Sequence, residues 1–167
     1  MAMALLASPS WGYKQEDLDK LAATNTCQEC DLAGADLHLA YLREANLTKA
    51  NLEKAILTKA NLAGADLRGT VLGVAFLPLA DLREADLERV DLSHASLRGA
   101  NLAGANLERA NLEKADLAGA DLAGADLRGT VLTGAVLRDA KIDFADFTKA
   151  KFCNTVMPDG QRIFKDC

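Results

Sequence analysis

The sequence contains little of several features on which large classes of function depend. It has no excess of positive charge, since 19 Lys and Arg stand against 24 Asp and Glu, and the net charge is −5. Such a balance is unsuited to phosphate backbones, which disfavours nucleic acid as a partner. No apolar run is long enough to cross a bilayer, so no membrane span is predicted.

Catalytic groups are also scarce. The two histidines, His38 and His94, both fall on outward positions of the repeat described below, at different heights. No glycine-rich phosphate loop of the G-x-G-x-x-G kind follows a strand. Because an enzyme needs polar groups that converge in a cleft, the sequence predicts a protein with neither catalytic activity nor a cofactor.

Leucine, alanine and short polar residues recur instead with a period of five. From Leu97 to Leu127 every fifth residue is Leu, usually with Ala two residues before it and Asp or Asn between them. This register continues without an insertion from Leu32 to Phe152. We call Leu the centre of each pentad, and we number the minus-two (Ala), minus-one (Asp or Asn), plus-one and plus-two positions from it.

A period of five fits neither an α-helix nor a flat strand. Five residues advance about 500° on a helix, so the leucines would not share one stripe. On a flat strand they would alternate between the two faces. A corner in every pentad lets Leu and Ala both point inward, with the frequent plus-two Gly in the bend.

The pattern therefore predicts an all-β solenoid of stacked parallel coils, about 4.8 Å apart. The segment LAGADLRGTVL occurs at 62–72 and again at 122–132, sixty residues later. Coils of fifteen and of twenty residues are both compatible with that interval.

The pentads resemble a known family. The motif A(D/N)LXX, as in Ala100-Asn101-Leu102-Ala103-Gly104, is similar to the pentapeptide repeat from Cys30 to about Cys153. The resemblance implies a right-handed quadrilateral β-helix, with four pentads in each of about six coils. The run CQECDLAGADL and the C-terminal PDG followed by Cys also resemble exported cyanobacterial members. This implies the thylakoid lumen or the periplasm.

The rest of the chain is predicted to cover the two ends of this single domain. The segments are a flexible tail, signal remnant or expression residue (1–13), an N-terminal capping helix (14–29), the β-helix (30–153) and a C-terminal cap (154–167). Leu18, Leu21 and Ala22 are expected on one side of the first helix. The C-terminal cap is expected to contain a turn at Met157-Pro158-Asp159-Gly160, followed by a short helix.

Some residues depart from the motif. Thr70, Val90 and Thr130 replace Ala and are interpreted as modest enlargements of a tightly filled interior. Ile142, Phe147 and Phe152 replace Leu in the last coils. We interpret these three as bulky residues that close the end of the rod, and a ligand pocket there is the alternative.

The four cysteines lie only near the two ends of the array. Pairing between the ends is excluded because the rod separates them by more than the 7 Å that a disulfide bridges. Cys153 and Cys167 are predicted to form a disulfide. For Cys27 and Cys30, a disulfide and a buried free thiol both stay open, while a redox motif or a zinc site lacks the required context.

The outward charges bear on one alternative function. Some members of the family are implicated in inhibiting DNA gyrase by imitating duplex DNA, which requires a long surface of one sign. With four pentads per coil, the most acidic face carries Asp81, Asp121, Asp143, Glu44 and Glu84 against Arg43, Arg83 and Lys141, a net charge of −2. Mixed charge of this kind favours solubility over steering, so a gyrase-binding DNA mimic is only the alternative.

An apolar patch is predicted on the outer surface. Its expected members are Ile56, Val71, Val74, Phe76 and Leu79. Contiguous exposed apolar surface often marks a contact site, although flat sheet faces in this family tolerate outward apolar residues. We therefore expect a non-catalytic interaction or scaffold protein in an exported cyanobacterial compartment. Its protein partner and its oligomeric state stay open.

Overall fold

The computed structural model describes residues 12–167, so most of the segment predicted as a tail or signal remnant (1–13) lies outside the described residues. It contains one helix, α1 (Gln15–Thr24), and two short strands, β1 (Thr155–Val156) and β2 (Arg162–Ile163). The chain between α1 and β1 winds as a solenoid in which each pentad contributes a single parallel bridge.

The bridges show that each coil contains twenty residues. Each minus-one residue from Thr26 to Val136 pairs in parallel with the residue twenty positions later, as in Asn101↔Asp121. The N–H of Leu102 donates to Asp121 (2.7 Å), and the N–H of Asn101 donates back to Ala80 (2.9 Å). Four pentads therefore complete one coil, as the quadrilateral fold requires.

We number the four sides by their minus-one residues. Face one carries Asp36, Ile56, Phe76, Ser96, Asp116 and Val136; face two carries Tyr41, Asn61, Asp81, Asn101, Asp121 and Lys141; face three carries Asn46, Asp66, Asp86, Asn106, Asp126 and Asp146; and face four carries Asp31, Asn51, Val71, Asp91, Asn111, Val131 and Lys151.

The centre and minus-two residues fill the interior, as predicted. The central leucines from Leu47 to Leu137 are fully buried, and the minus-two alanines between them are buried with them. At the corners, the plus-two residues have positive φ, near 68° at Gly104 and 57° at Arg109. Minus-one side chains hold the corner, since Asn101 Oδ1 accepts the N–H of Ala103 at 3.1 Å.

The ladder is one pentad longer at each end than the predicted β-helix of residues 30–153. Its first bridge is Thr26↔Asn46 and its last is Val136↔Val156. The motif does not identify these two pentads because Cys27 and Met157 occupy the central position where Leu is expected. The backbone bonds do not depend on that side chain, so the coil continues.

Helix α1 lies against the N-terminal end of the solenoid. Leu18 and Leu21 are buried in the same apolar cluster as the leucines of the first coil, whereas Ala22 is exposed, contrary to expectation. The carboxylate of Asp17 accepts the N–H of Asp31 at 2.8 Å. The helix ends at Asn25, which adopts a left-handed conformation and donates its N–H to Leu21.

The predicted C-terminal helix is wrong. Strands β1 and β2 form an antiparallel hairpin, with Thr155 opposite Ile163. The intervening turn is the predicted one, because Gly160 has a φ of 82° and Met157 donates its N–H to Gln161 at 2.8 Å. Because β1 continues face one, its outer edge has free backbone hydrogen-bonding groups. The segment that follows the turn pairs with these groups as β2, and this pairing outweighs its weak tendency to form a helix.

Candidate interaction surface

The five predicted residues lie on two adjacent sides of the rod and at the corners of face one, and we call them the apolar corner patch (Ile56, Val71, Val74, Phe76 and Leu79). Ile56 and Phe76 are neighbours on face one, where the N–H of Leu57 donates to Phe76 at 2.7 Å. The patch also contains Val71 on face four, and Val74 occupies the corner between the two faces. The period and the coil length together place these residues at neighbouring positions in two successive coils.

Most of the patch faces solvent. Val71, Val74, Phe76 and Leu79 are between 39% and 56% exposed, and Ile56 is half-buried. Burial of apolar side chains is favourable by about 25 cal/mol for each Å² of apolar area removed from water. The patch is therefore a surface on which a partner would gain binding energy.

The side chain of Leu79 packs over Gly99, which lies in the next coil. A Cβ atom at Gly99 would come within 2.8 Å of Leu79 Cδ2, which is closer than real contacts allow. Gly99 also has a φ of 63°, a conformation that favours glycine. The missing side chain at Gly99 lets Leu79 cover the coil beyond its own.

Charged side chains flank the patch along the rod and form a charged rim on two of its sides. Lys54 and Lys59 occupy its two corner columns one coil earlier, and Arg98 follows one coil later. Lys54 is 2.9 Å from Glu53 in the same pentad, and Arg98 is 3.0 Å from Asp116. An apolar centre with a polar rim is the usual anatomy of a protein–protein interface.

The sequence reasoning missed other exposed apolar side chains. Tyr41 is 73% exposed on face two, and Leu39 occupies the same corner column as Leu79, with Lys59 between them. Both stand on outward positions of the pentad, so the period alone would have found them. Phe144 and Phe164 at the C-terminal end are exposed as well.

The charges of face three are paired with one another. Arg128 lies between Asp126 (2.7 Å) and Glu108 (2.9 Å), and Arg68 lies between Asp66 and Asp86. Hydrogen bonds from Arg68 lower the pKa of Asp66, against the opposing effect of burial. This face has carboxylates and guanidinium groups in alternation and thus presents no surface of one sign.

The N-terminal cysteines form a disulfide, which decides between the two possibilities left open by the sequence. Cys27 and Cys30 are both buried, and their Cα atoms are 5.3 Å apart. Asp17 lies within 4.8 Å of both sulfurs. Bonded sulfurs are not thiolate ligands, and the Asp17 carboxylate already accepts a backbone hydrogen bond, so this cluster has a structural explanation.

The second disulfide joins Cys153 and Cys167, with Cα atoms 4.9 Å apart, as predicted. It ties the end of the hairpin to the last coil. Neither disulfide lies beside the apolar corner patch, so both are interpreted as structural.

The histidines lie on open surface. His38 Nδ1 is 2.9 Å from Asp36 Oδ1, and the pKa of Asp36 is lowered because the hydrogen bonds from His38 outweigh the effect of burial. His94 stands at a corner of a later coil. A shallow depression on face two is lined by charged and small residues (Arg43, Glu44, Ala63, Gly64, Arg83 and Glu84). Neither histidine lines this depression, so the histidines and the charged residues of face two do not converge on one reacting atom.

Comparisons with known proteins agree with the repeat pattern. The family model described as pentapeptide repeats matches in eight copies, over residues 26–58, 35–73, 80–117 and 115–154. A comparison with curated proteins finds no significant match. Within residues 12–167, no helix has the length and apolar character of a membrane span.

Three solved structures illustrate the likeness. HetL, a pentapeptide repeat protein involved in heterocyst differentiation regulation in Nostoc sp. strain PCC 7120, is 37% identical over 83% of this chain and 72% of its own, with a TM-score of 0.54. QnrB1, a plasmid-mediated fluoroquinolone resistance protein, is 27% identical over 84% of this chain and 78% of its own (TM-score 0.43). A protein of the Arabidopsis thaliana thylakoid lumen is 27% identical over 74% of this chain and 69% of its own (TM-score 0.31).

The repeat match covers most of the chain, and the likeness to HetL extends over more than two thirds of both proteins. Together with the twenty-residue coil, these findings show that the chain belongs to the pentapeptide-repeat family and has its right-handed quadrilateral β-helix fold.

Proposed function

We propose that this protein is a non-catalytic scaffold that binds a protein partner through the apolar corner patch. The observation that carries the proposal is the exposure of Val71, Val74, Phe76 and Leu79 at neighbouring positions of a rod whose interior is filled by leucine and alanine. Several large apolar side chains on neighbouring positions are unfavourable in water, and a partner that covers them removes that cost. The charged rim would set the orientation of the partner.

The proposed location is an oxidising exported compartment, either the thylakoid lumen or the periplasm of a cyanobacterium. Both cysteine pairs are joined as disulfides, and residues 12–167 contain no other cysteine. Structural disulfides persist in such compartments and are rare where thiols are kept reduced. Thiol titration of freshly isolated protein tests this point, because cysteines that react before reduction would contradict it.

A DNA-mimicking, gyrase-binding function is the alternative. It requires a long acidic surface, whereas five carboxylates along face three lie within 2.6 to 3.6 Å of guanidinium groups (Asp66, Asp86, Glu88, Glu108 and Asp126). We expect the purified protein to leave gyrase supercoiling unchanged. Inhibition at micromolar protein would favour the alternative over the patch.

Affinity capture with paired variants tests the scaffold. The bait protein is compared with a Phe76→Asp, Leu79→Lys variant, which removes apolar area from the patch without touching the interior. Tyr41→Asp is the matched control, because Tyr41 is at least as exposed but lies on face two. We expect a set of captured proteins that the patch variant loses and the control retains. Identical sets from all three baits would contradict the proposal.

A further inference from the structure

A lysine interrupts the exposed apolar residues at the corner between faces one and two. Lys59 occupies the plus-two position of its pentad, as do Leu39 in the preceding coil and Leu79 in the following coil. The N–H of Leu39 donates to Thr58 and the N–H of Lys59 donates to Pro78, both at 3.0 Å, so the three pentads are direct neighbours. We call Leu39, Lys59 and Leu79 the corner column.

The other exposed side chains at this corner are large and apolar. Leu39 and Leu79 are each 56% exposed, and Tyr41, at the start of face two, is 73% exposed. Phe76 precedes Leu79 on face one in the same pentad. The corner column therefore extends the apolar corner patch by one coil toward the N-terminal end of the rod.

The positive charge of Lys59 is not neutralised within the rod. Lys59 forms no ion pair among residues 12–167, although both other basic residues of the rim do. Lys54 is 2.9 Å from Glu53, and Arg98 is 3.0 Å from Asp116. The ammonium group of Lys59 is thus available to a group that comes from outside the chain.

This charge restricts what can cover the column. An ammonium group that is removed from water without a partner carries a large desolvation cost, and a carboxylate placed opposite it offsets that cost. An exposed ion pair contributes little by itself. The apolar contacts would therefore supply most of the affinity, while Lys59 would select against partners that lack an acidic group at this position.

The spacing of the column matches an α-helix that lies along the rod. Successive coils are about 4.8 Å apart, so Leu39 and Leu79 are separated by about 10 Å along the axis. Helix residues i and i+7 lie on one side at a separation of about 10.5 Å, with residues i+3 and i+4 between them. On a strand, three residues span about 10 Å, but residues i and i+3 point to opposite sides.

Backbone pairing with an added strand is also disfavoured at this corner. The N–H groups of Leu39, Lys59 and Leu79 donate to carbonyls of the next coil, each at 3.0 Å. The column therefore presents its side chains to a partner, and its N–H groups are already used within the rod. Recognition by side chains is the mode in which an amphipathic helix binds.

We propose that the partner of the apolar corner patch presents an acidic amphipathic helix, which lies along the rod over the corner column. Apolar residues seven positions apart contact Leu39 and Leu79, and a Glu or Asp between them binds Lys59. A helix is about 10 Å wide, so its flank also reaches Ile56 and Phe76 on face one. The inference rests on the proposed function, because it names the class of partner that the patch binds.

Selection from a displayed peptide library on the full chain tests this proposal. The peptides are helices of about 18 residues, long enough to form in solution, with apolar residues fixed at i and i+7. Positions i+3 and i+4 are drawn equally from Glu, Gln and Lys. We expect Glu to be enriched over Lys about fivefold or more at one of these positions. The whole chain has a net charge of −5, so such a preference must come from the local charge at the column.

Charge reversal identifies the residue responsible. On Lys59→Glu the preference should reverse, so that Lys is enriched over Glu. Lys49→Glu is the matched control, because Lys49 is also an exposed plus-two lysine, with a φ of 55° against 56° at Lys59, and lies at the opposite corner of the rod. This control should keep the preference for Glu. Equal enrichment of Glu and Lys on the wild-type protein, or no enriched peptide at all, overturns the proposal.

Two further measurements separate the parts of the inference. A central proline in the selected peptide should raise its dissociation constant at least about tenfold, because proline breaks the helix, and unchanged binding overturns the helical partner. The Phe76→Asp, Leu79→Lys variant should lose the selected peptides, and retention shows that they bind elsewhere. Loss of the peptides without any preference for Glu overturns the acidic helix alone and leaves the patch as a binding surface, whereas the capture experiment above tests the patch itself.

Discussion

Two buried threonines show what the pentad pattern predicts at the scale of single residues. The period places Thr70 and Thr130 in the interior, and both are fully buried. Their hydroxyl groups donate to carbonyls of the preceding coil, at 2.8 Å to Leu47 and 3.0 Å to Leu107. The sequence predicts the inward position but not these bonds, because the acceptor lies 23 residues away in a coil whose size the residues alone leave open.

Thr70→Val tests the energetic role of such a hydroxyl. The two side chains have nearly the same shape, so the substitution removes the hydrogen bond without a cavity. We expect the free energy of unfolding to fall by about 1 kcal/mol. The carbonyl of Leu47 still accepts the N–H of Ala50, which limits the loss.

Chemical denaturation measures this change. The reverse substitution Val90→Thr, at the same minus-two position, is the control and should leave stability unchanged or raise it slightly. Equal destabilisation by both substitutions would mean that packing, rather than the hydrogen bond, determines the cost.

At the scale of elements, the sequence predicts the repeating part better than the ends. The charged first turn and the leucine spacing predict a helix in residues 14–29, and α1 is observed at Gln15–Thr24. The predicted helix in the C-terminal cap is instead a hairpin. A segment as short as QRIFKDC has too few turns for a reliable apolar period, and its pairing partner is the edge of face one, which local pattern cannot reveal.

The Cys153–Cys167 disulfide is expected to stabilise this hairpin and little else. In a solenoid each coil contacts only its neighbours, so the loss of the disulfide should act locally. In the variant Cys153→Ser, Cys167→Ser we expect faster hydrogen exchange at the N–H of Met157, which donates to Gln161 at 2.8 Å. The chain-entropy model gives about 3 kcal/mol for a loop of about fifteen residues as the upper range of the effect.

The N–H of Asn101, in the middle of the rod, is the internal control and should exchange at the wild-type rate. If exchange accelerates equally at Asn101 and Met157, the disulfide stabilises the whole rod. If neither rate changes, the hairpin does not depend on the disulfide.

At the scale of the whole molecule, the twenty-residue length of the coil determines which residues lie on the same side of the rod. A period of five, with four pentads per coil, assigns every residue of the array to a side, and this is why the sequence could predict that Val71, Val74, Phe76 and Leu79 face outward. The uneven C-terminal end, where β1 continues face one while faces two and three stop at residues 140–149, was not predicted. It depends on which faces the last fifteen residues cover, and those residues lie outside the period.

The same assignment leads to a prediction about acid stability. Hydrogen bonds from Arg128 lower the pKa of Asp126 below its ordinary value, although partial burial opposes this. A carboxyl group with a lowered pKa in the folded state stabilises the fold above its unfolded pKa, near 3.9. That contribution is lost as the pH falls from about 4 toward the folded pKa. Thermal unfolding midpoints should therefore drop over this window, with little change between about pH 5 and 7.

The variant Arg128→Gln tests how much of the loss of stability at low pH comes from the Arg128–Asp126 ion pair. Without the guanidinium group the pKa of Asp126 returns toward its ordinary value, so the fall in midpoint between about pH 4 and pH 2 should become smaller than in the wild type. The difference should be modest because both groups are in contact with solvent, with side chains that are 49% (Arg128) and 30% (Asp126) exposed. Arg138→Gln is the control, since Arg138 also occupies a plus-one position but forms no ion pair among residues 12–167. A fall of the same size in both variants would show that the arginine–aspartate pairs of face three do not set the acid stability of the rod.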